Sequence, residues 1–298
     1  MFPSYLRLSK REINEKIKKL HEILKNCEIC PRKCHIDRTK GEKGYCQTGI
    51  FPRISGYHPH FGEEKPLVGD CGSGTIFFTS CNLSCVYCQN YEISQLRIGE
   101  EISFEELADI MIKLQDLGCH NINFVTPTHQ IFQILKSLSI AIEKGLKIPL
   151  VYNTNAYDSV QVLKIIKGVF DIYLPDLKYS DNDIALKYSN ASNYVETMKS
   201  AVKEMYSQVG DLLLDKKGVA LKGLLVRHLI LPNQLAGSEK IFQFITSEIS
   251  KNTAVNIMDQ YWPAYKARYY PEIAERVNES EIEKVYGLAK EFGLKIIS

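Results

Sequence analysis

The sequence predicts an α/β protein, a partial (β/α)6 TIM-like barrel with a small N-terminal Cys-rich metal-binding element. Three observations predict it. After residue 70, short apolar runs enriched in β-branched and aromatic residues recur six times, separated by helix-like stretches, and this alternation implies a parallel sheet. Each run ends in a polar cluster, and in parallel α/β folds ligands collect at that end of the strands. Before residue 70 the chain is rich in Lys, Glu, Gly, Pro and Cys, so 1–70 is expected to hold an N-terminal helix and the Cys-rich element, and 71–298 the barrel.

The predicted strands are GTIFFTS (74–80), NINFVTP (121–127), PLVYNTN (149–155), DIYLPDLK (171–178), GLLVRHLIL (223–231) and VNIMDQYW (255–262). Between them, Ser103 and Glu106 form the capping box of a helix that stops at Gly118. Further helices are expected to end at Gly145 and Gly168; 181–208 is long enough for two, and 238–250 and 278–293 supply the last ones.

With 298 residues the chain can bury a substantial core, and its net charge of +2 suggests no nucleic-acid partner. No apolar run approaches the roughly 18 residues that a membrane span needs. The first residues lack the apolar core of a signal peptide, so a cytoplasmic location is expected. In a reducing compartment the nine cysteines are expected to serve as metal ligands, catalytic thiols or apolar filler rather than disulfides.

The polar strand ends comprise Thr79-Ser80-Cys81, Thr126-Pro127-Thr128-His129, Asn153-Thr154-Asn155, Asp176-Leu177-Lys178, Arg227-His228 and Gln260-Tyr261-Trp262. Singly they read as turn formers, surface ion pairs or, for His228, a satisfied core histidine; six pointing into one mouth read as a site. The first cluster opens Cys81-x3-Cys85-x2-Cys88. Structural zinc usually takes four protein ligands, and no fourth Cys or His follows at finger spacing, although Cys71 lies upstream. Three thiolates can instead hold three irons of a [4Fe–4S] cluster and leave the fourth open to a ligand.

This triplet at the end of a first barrel strand resembles the signature of the radical S-adenosylmethionine (SAM) enzymes. The blocks HNINFVTPTHQ, VYNTNAY, DIYLPDLKYS, LLVRHLILP and NIMDQYWP are similar to the branch related to pyruvate formate-lyase-activating enzyme. The resemblance implies a [4Fe–4S] cluster on Cys81, Cys85 and Cys88 that reductively cleaves SAM, with hydrogen abstraction from a substrate. It places the Tyr87 backbone near adenine and gives Thr126 and Pro127 the turn that receives the SAM amino group. That turn lacks the Gly-Gly-Glu-Pro usual in the family. Asn153 and Asn155 match a ribose segment, Asp176 and Lys178 an Asp-Leu-Lys motif, Arg227 the contact to the SAM carboxylate, and His228 a hydrogen bond to substrate or cofactor. A flavodoxin or ferredoxin is implied as reductant and a glycyl-radical enzyme as partner. The alternatives are a small-molecule or peptide substrate, or electron transfer without SAM chemistry.

Cys27-x2-Cys30-x3-Cys34 and Cys46 supply four more thiols, enough to close a tetrahedral site. Zinc and an auxiliary iron-sulfur cluster both fit this spacing. His58, His60, Glu63 and Glu64 also look like a ligand set, but the resemblance puts their loop beside the barrel mouth, where packing or substrate contact is expected. Cys119 reads as apolar filler.

Overall fold

The computed structural model describes residues 3–297. Helix α1 (Lys10–Leu24) begins at Ser9, whose side chain accepts from the Glu12 N–H while the Glu12 side chain accepts from the Ser9 backbone. It is followed by β1 (Arg53–His60), α2 (Lys65–Val68), β2 (Ser73–Phe78), α3 (Tyr91–Ser94), β3 (Glu100–Glu101), α4 (Phe104–Asp116) and β4 (Ile122–Val125). The chain continues through α5 (Ile131–Glu143), β5 (Leu150–Thr154), α6 (Val160–Ile165), β6 (Ile172–Pro175), α7 (Asn182–Ser189), α8 (Tyr194–Val209), β7 (Leu213–Leu214) and β8 (Ala220–Leu229). Last come α9 (Ser238–Phe244), β9 (Ala254–Met258), α10 (Glu279–Glu291) and β10 (Lys295–Ile296).

The strands form one mixed, open sheet in the order β10-β9-β8-β6-β5-β4-β2-β1-β3, with β7 paired to β8. The six strands read from the sequence are β2, β4, β5, β6, β8 and β9, which lie side by side, all parallel. The expected helix ends are also present: the Ser103 box caps α4, and Gly118, Gly145 and Gly168 take positive φ of 86°, 95° and 83° just beyond their helices. Helix α5 starts at Ile131, because 128–130 winds as a tighter 3-10 turn. The chain around residue 70 is not a break in the sheet. Strand β1 lies before it and pairs antiparallel with β2, from Ile54 opposite Phe78 to His60 opposite Ser73.

Strand side chains alternate between two faces, and the burial follows that period. Leu150, Tyr152, Tyr173, Leu224, Val226 and Val255 join the large core beneath the helices. Their neighbours Val151, Ile172, Leu174, Leu225 and Ala254 meet Leu67 of α2 in a separate apolar cluster on the lumen side. Leu67 is fully buried, and Asn121 donates to its carbonyl at 2.8 Å, so α2 stops the floor of the barrel. Among the described residues no helix is long and apolar enough to cross a membrane.

Candidate functional site

The loop after β2 carries Cys81, Cys85 and Cys88, and it is held from several sides. Ser84 and Val86 donate their backbone N–H groups to the carbonyls of Ser189 and Tyr188 at the end of α7, and the Lys266 N–H donates to the Val86 carbonyl. Asn82 is fully buried: its Nδ2 donates to the Tyr157 carbonyl, while its Oδ1 accepts from Asn155 Nδ2 at 2.8 Å. From the N-terminal side, Arg32 Nε donates to the Asn82 carbonyl at 2.7 Å and the Tyr45 hydroxyl meets Ser84 Oγ at 2.5 Å.

All three cysteines line one cavity of about 140 Å³, together with Thr126, Asn153, Thr154, Asn155, Asp176, Lys178 and Arg227. Every sulfur has a polar neighbour. Cys81 Sγ accepts from the Leu83 N–H at 3.3 Å and from Asn155 Nδ2 at 3.4 Å; Cys85 Sγ accepts from Ser189 Oγ at 2.9 Å; Cys88 Sγ lies 3.1 Å from Ser94 Oγ. Behind Cys85 the hydroxyls of Ser189, Tyr179 and Tyr87 form a buried chain, with 2.6 Å between successive oxygens. Burial, reinforced by Cys85, pushes the Cys81 thiol up to about 12; burial pushes Cys85 to about 11 against the pull of Lys178. A cation bound at the sulfurs is what would ionise them near neutral pH. Among the described residues no three His, Cys, Asp or Glu side chains converge closely enough to hold a metal ion as they stand. The fit to an iron-sulfur cluster therefore rests on donor chemistry: three thiols on one cavity wall, each with the kind of hydrogen bond that tunes cluster sulfurs.

On the same cavity lies a half-buried charge network. Arg227 donates from Nε to Asp176 at 2.7 Å, from Nη1 to Glu63 at 3.1 Å and from Nη2 to Asn153 at 2.6 Å. Lys178 Nζ donates to the other Asp176 oxygen at 2.9 Å. Burial works against the Asp176 carboxylate, but Arg227 and Lys178 outweigh it and hold its proton affinity below the usual range. Glu63 behaves oppositely. Burial, with Glu64 and Asp176 nearby, raises it to about 7 despite Arg227.

Of the residues that the resemblance assigns to the cluster or to SAM, Cys81, Cys85, Cys88, Thr126, Asn153, Asn155, Asp176, Lys178 and Arg227 share this cavity, and Pro127, Tyr87 and His228 do not. Pro127 is not on the wall, and the Tyr87 ring packs edge-on against Tyr179 and Tyr261. His228 is the clearest departure. Strand alternation turns it to the outer face, where Nδ1 lies 2.7 Å from the Leu177 carbonyl, Nε2 lies 2.9 Å from Ser238 Oγ and the ring meets Phe242. It is a satisfied core histidine and does not reach the cavity. The set His58, His60, Glu63 and Glu64 also divides: both histidines pack on Phe77, whereas the glutamates reach Arg227 and Asn256. The sequence flagged Glu63 as one of a set of acids and histidines, but carried no signal that it would meet Arg227 across the barrel. A larger surface concavity, about 930 Å³, lies elsewhere, between α1 and α6, and is edged by lysines and glutamates.

Comparison with known proteins decides the family. The family model described as the radical SAM superfamily matches residues 75–212, from β2 into the segment after α8. An uncharacterised protein of Methanocaldococcus jannaschii, MJ0674, is 37% identical over 295 residues, 95% of this chain and 79% of its own. The chain belongs to the radical SAM superfamily. A second M. jannaschii protein, MJ0808, is 26% identical over 94% of this chain and 82% of its own. Among solved structures, two share this fold over 73% of the chain. Streptococcus suis SuiB bound to S-adenosylmethionine gives a TM-score of 0.52 at 14% identity, covering 73% of this chain and 48% of that one. The FeFe-hydrogenase maturase HydG of Carboxydothermus hydrogenoformans gives 0.52 at 13% identity, covering 73% and 50%. The chain spans about half the length of these two structures, and the likeness is one of fold. Membership of the radical SAM superfamily implies an enzyme that uses a [4Fe–4S] cluster and SAM.

Proposed function

We propose that Cys81, Cys85 and Cys88 hold the [4Fe–4S] cluster and that the protein abstracts hydrogen from a partner protein, as a glycyl-radical-activating enzyme does. When bound, the cluster and SAM supply one-electron cleavage of the sulfonium to methionine and a 5′-deoxyadenosyl radical. The observation that carries the reading is the meeting of the three thiols with the strand-end residues of β4, β5, β6 and β8 on one cavity. Asn153, Asn155 and the backbone at Thr126 are the groups we assign to the ribose and amino ends of SAM. Arg227 is assigned its carboxylate. Because the guanidinium is already met by Asp176, Glu63 and Asn153, an incoming carboxylate exchanges with Glu63, the partner whose burial already favours its neutral form. Lys178 and Asp176 orient this face. The electron comes from a flavodoxin or ferredoxin in the cytoplasm. The reading includes a second metal, zinc or an auxiliary iron-sulfur cluster, at Cys27, Cys30, Cys34 and Cys46.

The test is 5′-deoxyadenosine formation by anaerobically reconstituted protein given SAM and a strong reductant. Product is expected from the native chain and none above background from Cys85→Ala, with the barrel still folded by circular dichroism. SAM cleavage at the native rate by that variant would sink the assignment.

A further inference from the structure

Arg38 is one of the largest fully buried side chains of the protein, at 1% exposure. Its Nη1 donates to the His129 carbonyl at 2.9 Å and its Nη2 to the Gly49 carbonyl at 2.8 Å, while Nε has no partner. Among the described residues no carboxylate pairs with it. A guanidinium cannot shed its proton, so a buried one without an anion is costly and calls for a charge that neutral neighbours do not supply.

The group beside it is the Cys27 thiol. Cys27, Cys30 and Cys46 are buried, Cys34 is half-buried, and none forms a disulfide. Cys30 has Cys46, Cys27 and Cys34 as electrostatic neighbours, and the Tyr45 N–H donates to Cys34 Sγ at 3.4 Å, so the backbone gathers the four cysteines in one part of the fold, with the thiols not drawn to ligand distance as they stand. The backbone is shaped to bring them there. Cys27 N–H donates to the Ile36 carbonyl, His35 N–H donates back to the Cys27 carbonyl, and the turn between them uses positive φ at Lys33 and His35. Gly44 lets Cys34 close in: a Cβ at residue 44 would sit 2.8 Å from both Cβ and Sγ of Cys34.

We propose that Cys27, Cys30, Cys34 and Cys46 hold their metal as four thiolates and that Arg38 is the buried counter-ion of this anionic centre. Four thiolates around zinc, or around an oxidised [4Fe–4S] core, leave net negative charge, which is what the unpaired guanidinium lacks. The inference rests on a metal at these cysteines and is independent of SAM chemistry. Arg38 acts as a positioning residue with reach into the other site, because the carbonyl it holds belongs to His129, whose Nε2 lies 2.9 Å from the carbonyl of Thr79, two residues before Cys81.

The experiment starts from a chain with Cys81, Cys85 and Cys88 all changed to Ala, purified anaerobically and assayed for metal and inorganic sulfide. One zinc per chain, or iron with sulfide, is expected; a chain free of both overturns the metal centre and the counter-ion with it. Into this background go Arg38→Met and Arg38→Lys. Under graded EDTA, Arg38→Met is expected to release its metal at chelator concentrations at least tenfold lower, with Arg38→Lys between it and the parent. Unchanged retention in Arg38→Met overturns the counter-ion while leaving the metal in place. Melting of loaded and metal-free forms separates charge from packing: Arg38→Met should lower the melting temperature of the loaded form only. An equal drop in both forms overturns the proposal.

Discussion

Arg227 and Glu63 set the chemistry of the cavity wall, and their strand positions decide which neighbour shares it. Arg227 and His228 are adjacent in sequence, yet one faces the sulfurs and the other the helix layer, because successive strand residues point oppositely. Glu63 has an ordinary proton affinity near 4.5 and a folded one near 7, so between those values the folded state binds more protons than the unfolded chain. Stability contributed by this group is therefore lost as pH rises from about 4.5 to 7 and is level above, a loss on the order of 1–3 kcal/mol. Glu63→Gln is expected to flatten that window, measured as denaturant unfolding at a series of pH values against the native chain. The same ionisation strengthens the grip of Glu63 on Arg227, so SAM affinity should fall by up to about tenfold per unit above pH 7 in the native chain and stay level in Glu63→Gln, read by calorimetry. The cysteines and most of the cavity wall were legible in the sequence because each stands at the end of a predicted strand. Glu63 was visible as an acid but not as a member of the site, since its partner lies 164 residues away.

At the scale of elements, the six parallel strands and their capped helices were readable because apolar period and turn glycines agree locally. Strand β1 was not: RISGYHPH carries a glycine and a proline, and Pro59 is tolerated on the flank of β1 that β3 leaves uncovered beyond Ile54. The N-terminal element was legible as a cysteine set, but not as a clamp on the loop between Cys81 and Cys85. That clamp makes a prediction. Arg32→Ala combined with Tyr45→Phe removes both contacts to the loop, and cluster retention after reconstitution is expected to drop about 10–100-fold, measured as iron bound under mild chelation, with the helical signal unchanged. The floor makes another: Leu67→Ala should cost about 2–5 kcal/mol in denaturant unfolding, since Leu67 fills the lumen against four strands.

For the molecule as a whole, the sheet has two ends, β3 beyond β1 on one side and β10 beyond β9 on the other. Among the described residues no backbone ladder joins them. What spans the gap on the lumen side is the segment after β1, with Glu63 on Arg227 of β8 and Glu64 Oε1 accepting from Asn256 of β9 at 2.8 Å. A ring stitched by ladders around most of its circumference and by side-chain contacts at one seam is mechanically uneven. Amide hydrogens at the seam, in β1 and β9, whose outer neighbours β3 and β10 each pair with only two of their residues, should exchange with solvent deuterium faster than those of β4, β5 and β6, which lie inside the sheet. The barrel would then breathe by parting at this seam, widening and narrowing its lumen without breaking a single strand pair.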